Sequence, residues 1–166
     1  MKKFLLLVLC FALVFTFTGC VSNEKADKKT DELVSYINND LAELADIEEA
    51  FLESYESVTG DNYVDDYTTY EELSNNTLPL IQQLDNKTVE ISENITDNKI
   101  REVHRLYMNY TSKNLNAIIT MIDALETQDV SRVTDANDMI NEANNVITDF
   151  QIKLDELMDE YGVVME

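Results

Sequence analysis

One histidine, two cysteines and three closely spaced aspartates are the residues of this 166-residue chain best suited to chemistry. His104 ends the run Arg101-Glu102-Val103-His104. Di-metal carboxylate sites in helical bundles are built from paired Glu-x-x-His motifs. Here Arg occupies the position that needs Glu. Glu102, two residues from His104, faces another side, and there is no second histidine. The same count leaves nothing to assemble a Ser/His/Asp set, so His104 is expected as a structural side chain beside a core stripe. Asp61, Asp65 and Asp66 lie close together, but a calcium loop needs alternating oxygen ligands, Gly at the sixth position and Glu at the twelfth. None of these is in register. No glycine-rich phosphate loop is present. The expectation is a protein without enzymatic activity, resident metal or cofactor.

The tyrosines beside those aspartates carry a different signal. Tyr63 and Tyr67, followed by Tyr70, are spaced by four and three residues. That is the spacing of a buried helical stripe. It also places large, rigid side chains with polar tips next to Asp61, Asp65 and Asp66, the composition of a binding hot spot. Of the two readings, the core stripe is the favoured one and the contact surface the alternative. Asp61, Tyr63, Asp65, Asp66 and Tyr67 are accordingly the candidate partner-binding residues.

These groups must be positioned by helices. Stepping alternately by three and four from Val133 gives Ala136, Ile140, Ala143, Ile147, Phe150, Leu154, Leu157 and Tyr161, every seat apolar. A sustained 3.5-residue repeat is a coiled-coil-like seam. Asp129 or Ser131 suits the start of this helix and Gly162 its end. A helix after Thr96-Asp97 carries Ile100, Val103, Tyr107, Tyr110, Asn114, Ala117, Met121 and Ala124. A second stripe beside it holds Leu115, Ile118, Ile122 and Leu125, which predicts the most buried helix of the four. A first helix steps from Val34 through Ile37, Leu41, Leu44, Glu48, Phe51, Tyr55 and Val58, and Thr59-Gly60-Asp61-Asn62 stops it. Between them, from about 61 to 95, the pattern is weaker. Ile81, Leu84, Ile91 and Ile95 continue the tyrosine face, while Ser74, Thr77 and Thr88 interrupt it. Pro79 removes a backbone donor, which predicts two pieces in line or a kink near residues 75–79. Glu48 and Asn114 are polar seats in apolar seams. Each can form a polar pair that fixes register; alternatively Glu48 turns aside to water and Ile47 takes its seat.

The short connections predict antiparallel neighbours, hence an all-α, antiparallel up-down-up-down four-helix bundle over residues 31–162. Oligomeric state is left open.

The N-terminus reads as an address. Met1-Lys2-Lys3 is basic, and Phe4 to Phe17 is apolar but for Thr16. Together they have the pattern of a secretory signal. The ending Phe17-Thr18-Gly19-Cys20 resembles the lipobox of bacterial lipoproteins, with Phe17 where Leu is usual. The resemblance implies diacylglycerol on Cys20 and cleavage between Gly19 and Cys20. It also implies a lipid-anchored protein on the extracytoplasmic face of the cell membrane, like the small helical lipoproteins of Gram-positive cells. Residues 1–19 are then a signal peptide and 20–30 a lipidated tether. Cys10 lies inside the apolar run.

Charge decides the kind of partner. The chain has 12 Lys+Arg against 33 Asp+Glu, a net charge of -21. Loss of Lys2 and Lys3 with the signal brings this to -23. Such a surface repels nucleic acid phosphates. In the expected topology the basic minority gathers at the membrane end, where it can face anionic headgroups. Only Lys113 and Arg132 lie towards the other end. The plain reading of the acids is that they solvate the bundle surface; the sharper one is an acidic, tyrosine-bearing tip that faces away from the membrane, suited to a cationic protein, peptide or ion. The alternative is an extracytoplasmic ligand-binding lipoprotein with a pocket between helices.

Overall fold

In the computed structural model, residues 24–164 are described. They form four helices joined by short connections, with no strand among them. Helix α1 covers residues 24–56, α2 residues 66–94, α3 Asn98–Thr127 and α4 Val130–Tyr161. The signal segment, Gly19 and Cys20 lie outside the described residues.

Sequence chemistry sets the helix ends. Asp65 caps α2 by accepting the Thr68 N–H at 2.7 Å. Asp97 caps α3 through the N–H groups of Lys99 and Ile100 at 2.8 and 3.2 Å. Asp129, rather than Ser131, caps α4 through Ser131 N–H. Each carboxylate satisfies donors that a helix start leaves open. Gly162 terminates α4 at φ 68°, a left-handed geometry that costs glycine little.

Helix α3 is the most buried of the four, and all eight seats of its seam are buried. It packs along α4 and against α2, while α2 packs on α1. Ala117, Ala124, Ala136 and Ala143 are all buried. Their small side chains allow α3 and α4 to approach closely. Towards the other end Tyr107 meets Phe150 edge-on, ring centroids 5.1 Å apart.

Two segments depart from the expected pattern. Helix α1 opens into a π turn over Tyr36–Leu41 and α2 over Leu73–Thr77. In the second, Leu78 N–H donates to the Leu73 carbonyl, five residues back. A π turn holds one residue more than an α turn. It lies directly before Pro79, whose missing N–H would break the ordinary ladder. The helix therefore runs through Pro79 without separating into two pieces. In α1 the extra residue turns the upstream seam by one position. Leu33 is fully buried, while Val34, expected in the seam, is only half-buried.

Thr77 and Thr88, read as interruptions, belong to the buried stripe of α2. Thr77 Oγ1 is 2.7 Å from Ser54 Oγ of α1. Thr88 Oγ1 donates to the Asp85 carbonyl at 2.7 Å. Hydroxyls that bond locally can sit in a core without unpaired groups.

Helix α1 also begins earlier than expected, at Glu24 inside the segment read as tether. Its composition, Glu-Lys-Ala-Asp-Lys-Lys, is rich in helix formers. Thr30 Oγ1 then holds the Tyr161 carbonyl of α4 at 3.0 Å. An apolar stripe is not needed where polar side chains make the contact.

Candidate functional site

The polar seats inside the bundle are structural. His104 is fully buried. Its Nε2 lies 2.7 Å from the Thr88 carbonyl, which only accepts, so Nε2 carries the proton. Nδ1 then accepts from Tyr36 Oη at 3.0 Å. Burial pushes the imidazole below its ordinary pKa and outweighs the Thr88 bond, which favours charge. A neutral imidazole thus links α1, α2 and α3. Glu48 does not turn away to solvent. Its carboxylate accepts Tyr107 Oη at 2.7 Å and Tyr110 Oη at 2.5 Å, and burial raises its pKa despite those bonds. Asn114 donates to the Tyr110 carbonyl at 3.2 Å.

One end of the molecule is a clasp. The Glu32 carboxylate takes Thr96 N–H and Oγ1, both at 2.6 Å, and Asp97 N–H at 2.8 Å. Asp97, besides capping α3, accepts Tyr161 Oη at 3.0 Å and pairs with Lys29 at 3.2 Å. Lys29 also lies 5.5 Å from the Tyr161 ring centre. Burial works to raise the Asp97 pKa, but the Ile100 and Lys99 N–H donors, Tyr161 and Lys29 hold it below the usual carboxylate range. Asp97→Ala removes all of these at once. The expected cost is about 2 kcal/mol, above a single cap because three elements lose a shared acceptor. Chemical denaturation at neutral pH checks it. The contribution of Asp97 is present above its unfolded pKa of 3.8 and is lost as pH falls through the lower folded value, so the two proteins should converge in acid.

Several cations towards this end are engaged within the protein. Lys99 pairs with Glu160 at 2.5 Å, Lys87 with Glu43 at 2.9 Å and Lys153 with Glu156 at 2.6 Å. Arg101 donates to the Ile95 carbonyl. Lys29, Lys87 and Lys99 thus tie neighbouring elements together, while Lys153 pairs within α4.

The opposite end carries the candidate residues. Gly60 enters a 3-10 turn, Gly60–Asn62, at φ 60°. The backbone is extended at Tyr63 (φ -61°, ψ 128°) and again at Asp65, the cap of α2. Thr69 Oγ1 fastens the segment by donating to the Val58 carbonyl at 3.2 Å. Tyr63 is therefore outside the helix, and the four-three spacing of the tyrosines does not make a core stripe. Tyr63 is 52% exposed and Tyr67 72% exposed. Of the two sequence readings, core and contact surface, the core reading is overturned. A chain break at Gly60 and a new cap at Asp65 put these rings on the surface.

The exposed residues are held in place. Tyr63 Oη donates to Asp66 Oδ1 at 2.7 Å, and this bond to a carboxylate raises the phenol pKa. Gln128 Nε2, from the α3–α4 connection, reaches Asp66 Oδ2 at 3.4 Å. The Thr68 N–H holds the Asp65 carboxyl below its ordinary pKa. Asp61 is exposed beside them. The structure thus brings Asp61, Tyr63, Asp65, Asp66 and Tyr67 to one end. Two apolar residues join them unforeseen, Val64 at 72% and Val130 at 78% exposed. Their signal in the sequence was an apolar residue at a helix boundary with no seam partner. The basic residues towards this end are paired, Arg132 with Asp123 and Lys113 with Glu142.

No cluster of three or more His, Cys, Asp or Glu that could hold a metal ion occurs among the described residues. Two depressions stand out, both open to solvent. One of about 540 Å³ lies between α1 and α2, bordered by Glu43, Ile47, Pro79 and Lys87. The other, about 440 Å³, lies between α3 and α4 over Thr120, Arg132, Asp135 and Glu142. No helix among the described residues is long and apolar enough to cross a membrane. Comparison with protein-family models, curated proteins and solved structures finds no match to this chain.

Proposed function

We propose that the chain is a non-enzymatic surface lipoprotein. In this reading it is anchored to the extracytoplasmic face of the membrane through lipid on Cys20, after cleavage at Gly19. An antiparallel up-down-up-down bundle presents the acidic end away from the bilayer. The clasp supports this arrangement, because it joins the start of α1, the α2–α3 connection and the end of α4. Residue 20 is close in sequence to that end. The partner is a cationic protein, peptide or ion.

One observation carries the reading: two tyrosines stand exposed, one pinned by its hydroxyl, among aspartates, while the basic residues described towards that end, Lys113 and Arg132, are paired elsewhere. Association of opposite charges is steered over roughly a Debye length, which shrinks as salt rises. The full chain, held in nanodiscs, should retain a basic protein at about 50 mM salt and release it at about 500 mM, where the screening length falls below roughly 5 Å. Equal retention at both salt levels overturns the reading.

A further inference from the structure

Four of the eight large apolar residues that stand exposed among the described residues lie at the acidic end: Tyr63, Val64, Tyr67 and Val130. The other four, Val89, Ile119, Ile152 and Val164, are distributed over α2, α3, α4 and the C-terminal segment. Scattered exposed apolar residues need no explanation, whereas a gathering rimmed by polar groups marks a contact surface. The hydrogen bond from Gln128 to Asp66 ties the α3–α4 connection, and with it Val130, to the turn that carries Tyr63 and Val64.

Charge attraction alone does not account for these side chains. A surface for plain polycations needs only carboxylates, and Asp61, Asp65, Asp66 and Asp129 supply them. Asp65 and Asp129 are spent on helix caps, yet each keeps its negative charge on the rim. At the same end stand two exposed valines and two exposed phenol rings. Tyrosine faces attract guanidinium and ammonium groups. Valines gain only by excluding water against another apolar group. Part of the surface is also held in place, since Tyr63 donates to Asp66 and Gln128 reaches Asp66. A rigid surface loses less freedom on binding.

Resting on the proposed role of this end as the docking end, we infer that its occupant is an amphipathic basic segment of another protein, in which Arg or Lys alternates with bulky apolar side chains. The basic groups meet the aspartates and the tyrosine faces. The apolar groups cover Val64 and Val130. Four side chains make a patch suited to a short segment, since a stable globular interface takes about 800 Å² from each partner.

Two labelled peptides of about ten residues and equal positive charge test this, one alternating Arg with Leu and one alternating Arg with Ser. Binding to the full chain in nanodiscs is read by fluorescence anisotropy, with empty discs subtracted. The leucine peptide should bind at least about tenfold more tightly, on the order of one buried apolar side chain. The double variant Val64→Ser, Val130→Ser should erase that difference while leaving serine-peptide binding and thermal unfolding unchanged. Equal binding of the two peptides overturns the inference and leaves the charge reading standing. Binding of neither overturns both. Self-association of the chain that blocks the leucine peptide also overturns it, by making a second copy the occupant.

Discussion

His104→Ala is expected to cost roughly 3 kcal/mol, the largest loss from any single polar side chain of the bundle. Two effects add. The ring is fully buried, so its removal leaves a cavity between α1, α2 and α3 that close packing cannot fill. The Tyr36 hydroxyl, itself buried, loses its hydrogen-bond partner. In a domain of this size the midpoint of thermal unfolding should fall by about 10 °C. His104→Phe keeps most of the volume and loses only the bonds, so it should sit between wild type and alanine.

The pH dependence separates this role from simple packing. The folded pKa of His104 lies below the ordinary 6.5. Above pH 6.5 both folded and unfolded forms are neutral, and the contribution is complete. As pH falls the unfolded chain takes up a proton that the folded chain refuses, so stability is lost until the lower folded value is reached. Glu48 acts in the opposite sense. Its raised pKa favours the folded form below 4.5 and penalises it as pH rises through the folded value. Tyr36, which donates to the imidazole, comes from the turn that also holds Asp40. The difference between wild type and His104→Ala cancels what the two share. Between about pH 7 and pH 5 that difference should shrink, and a constant difference would show that the imidazole titrates normally.

On the proposed anchoring, Cys20→Ser is expected to have the larger effect in the cell, because it would act on attachment and be close to all-or-none. A serine oxygen is not the thiolate that accepts the diacylglycerol group in the family the signal resembles. A single acyl chain gives only marginal membrane binding and two give a stable anchor, at about 0.8 kcal/mol per buried methylene. Metabolic labelling with fatty acid should therefore vanish from the variant. Fractionation should find it released, or retained as a precursor that still carries residues 1–19. A variant that remained lipid-labelled would remove the lipobox assignment.

Much of the fold could be read from residue spacing. In α3 each of the eight seats chosen by alternate steps of three and four is buried, because a straight helix against two neighbours keeps one phase throughout. The start of α3 after Thr96-Asp97 and the ends of α4 at Asp129 and Gly162 were legible for local reasons, since unsatisfied backbone groups select a few residue types. The π turns were not. A one-residue change of phase is invisible where Leu33 and Val34 are both apolar, and either could fill the seat. At the candidate site the residues were legible but their surroundings were not. The spacing of Tyr63, Tyr67 and Tyr70 had meaning only if a helix ran through residue 63. The signals against that were present, in Gly60 and in Asp65 followed by an acidic first turn. Val64 and Val130 were missed because a periodic pattern has nothing to say of residues outside it.

The π turn at Tyr36–Leu41 has a consequence for phase. One surplus residue advances everything upstream by about 100°, the angle between successive α-helical residues. That rotation points Leu33 inward, and on the same account it aims Lys29 and Glu32 at the α2–α3 connection. The fastening at one end of the molecule is thus timed by a single residue several angstroms up the helix, as a gear with one added tooth resets the mesh of the train behind it.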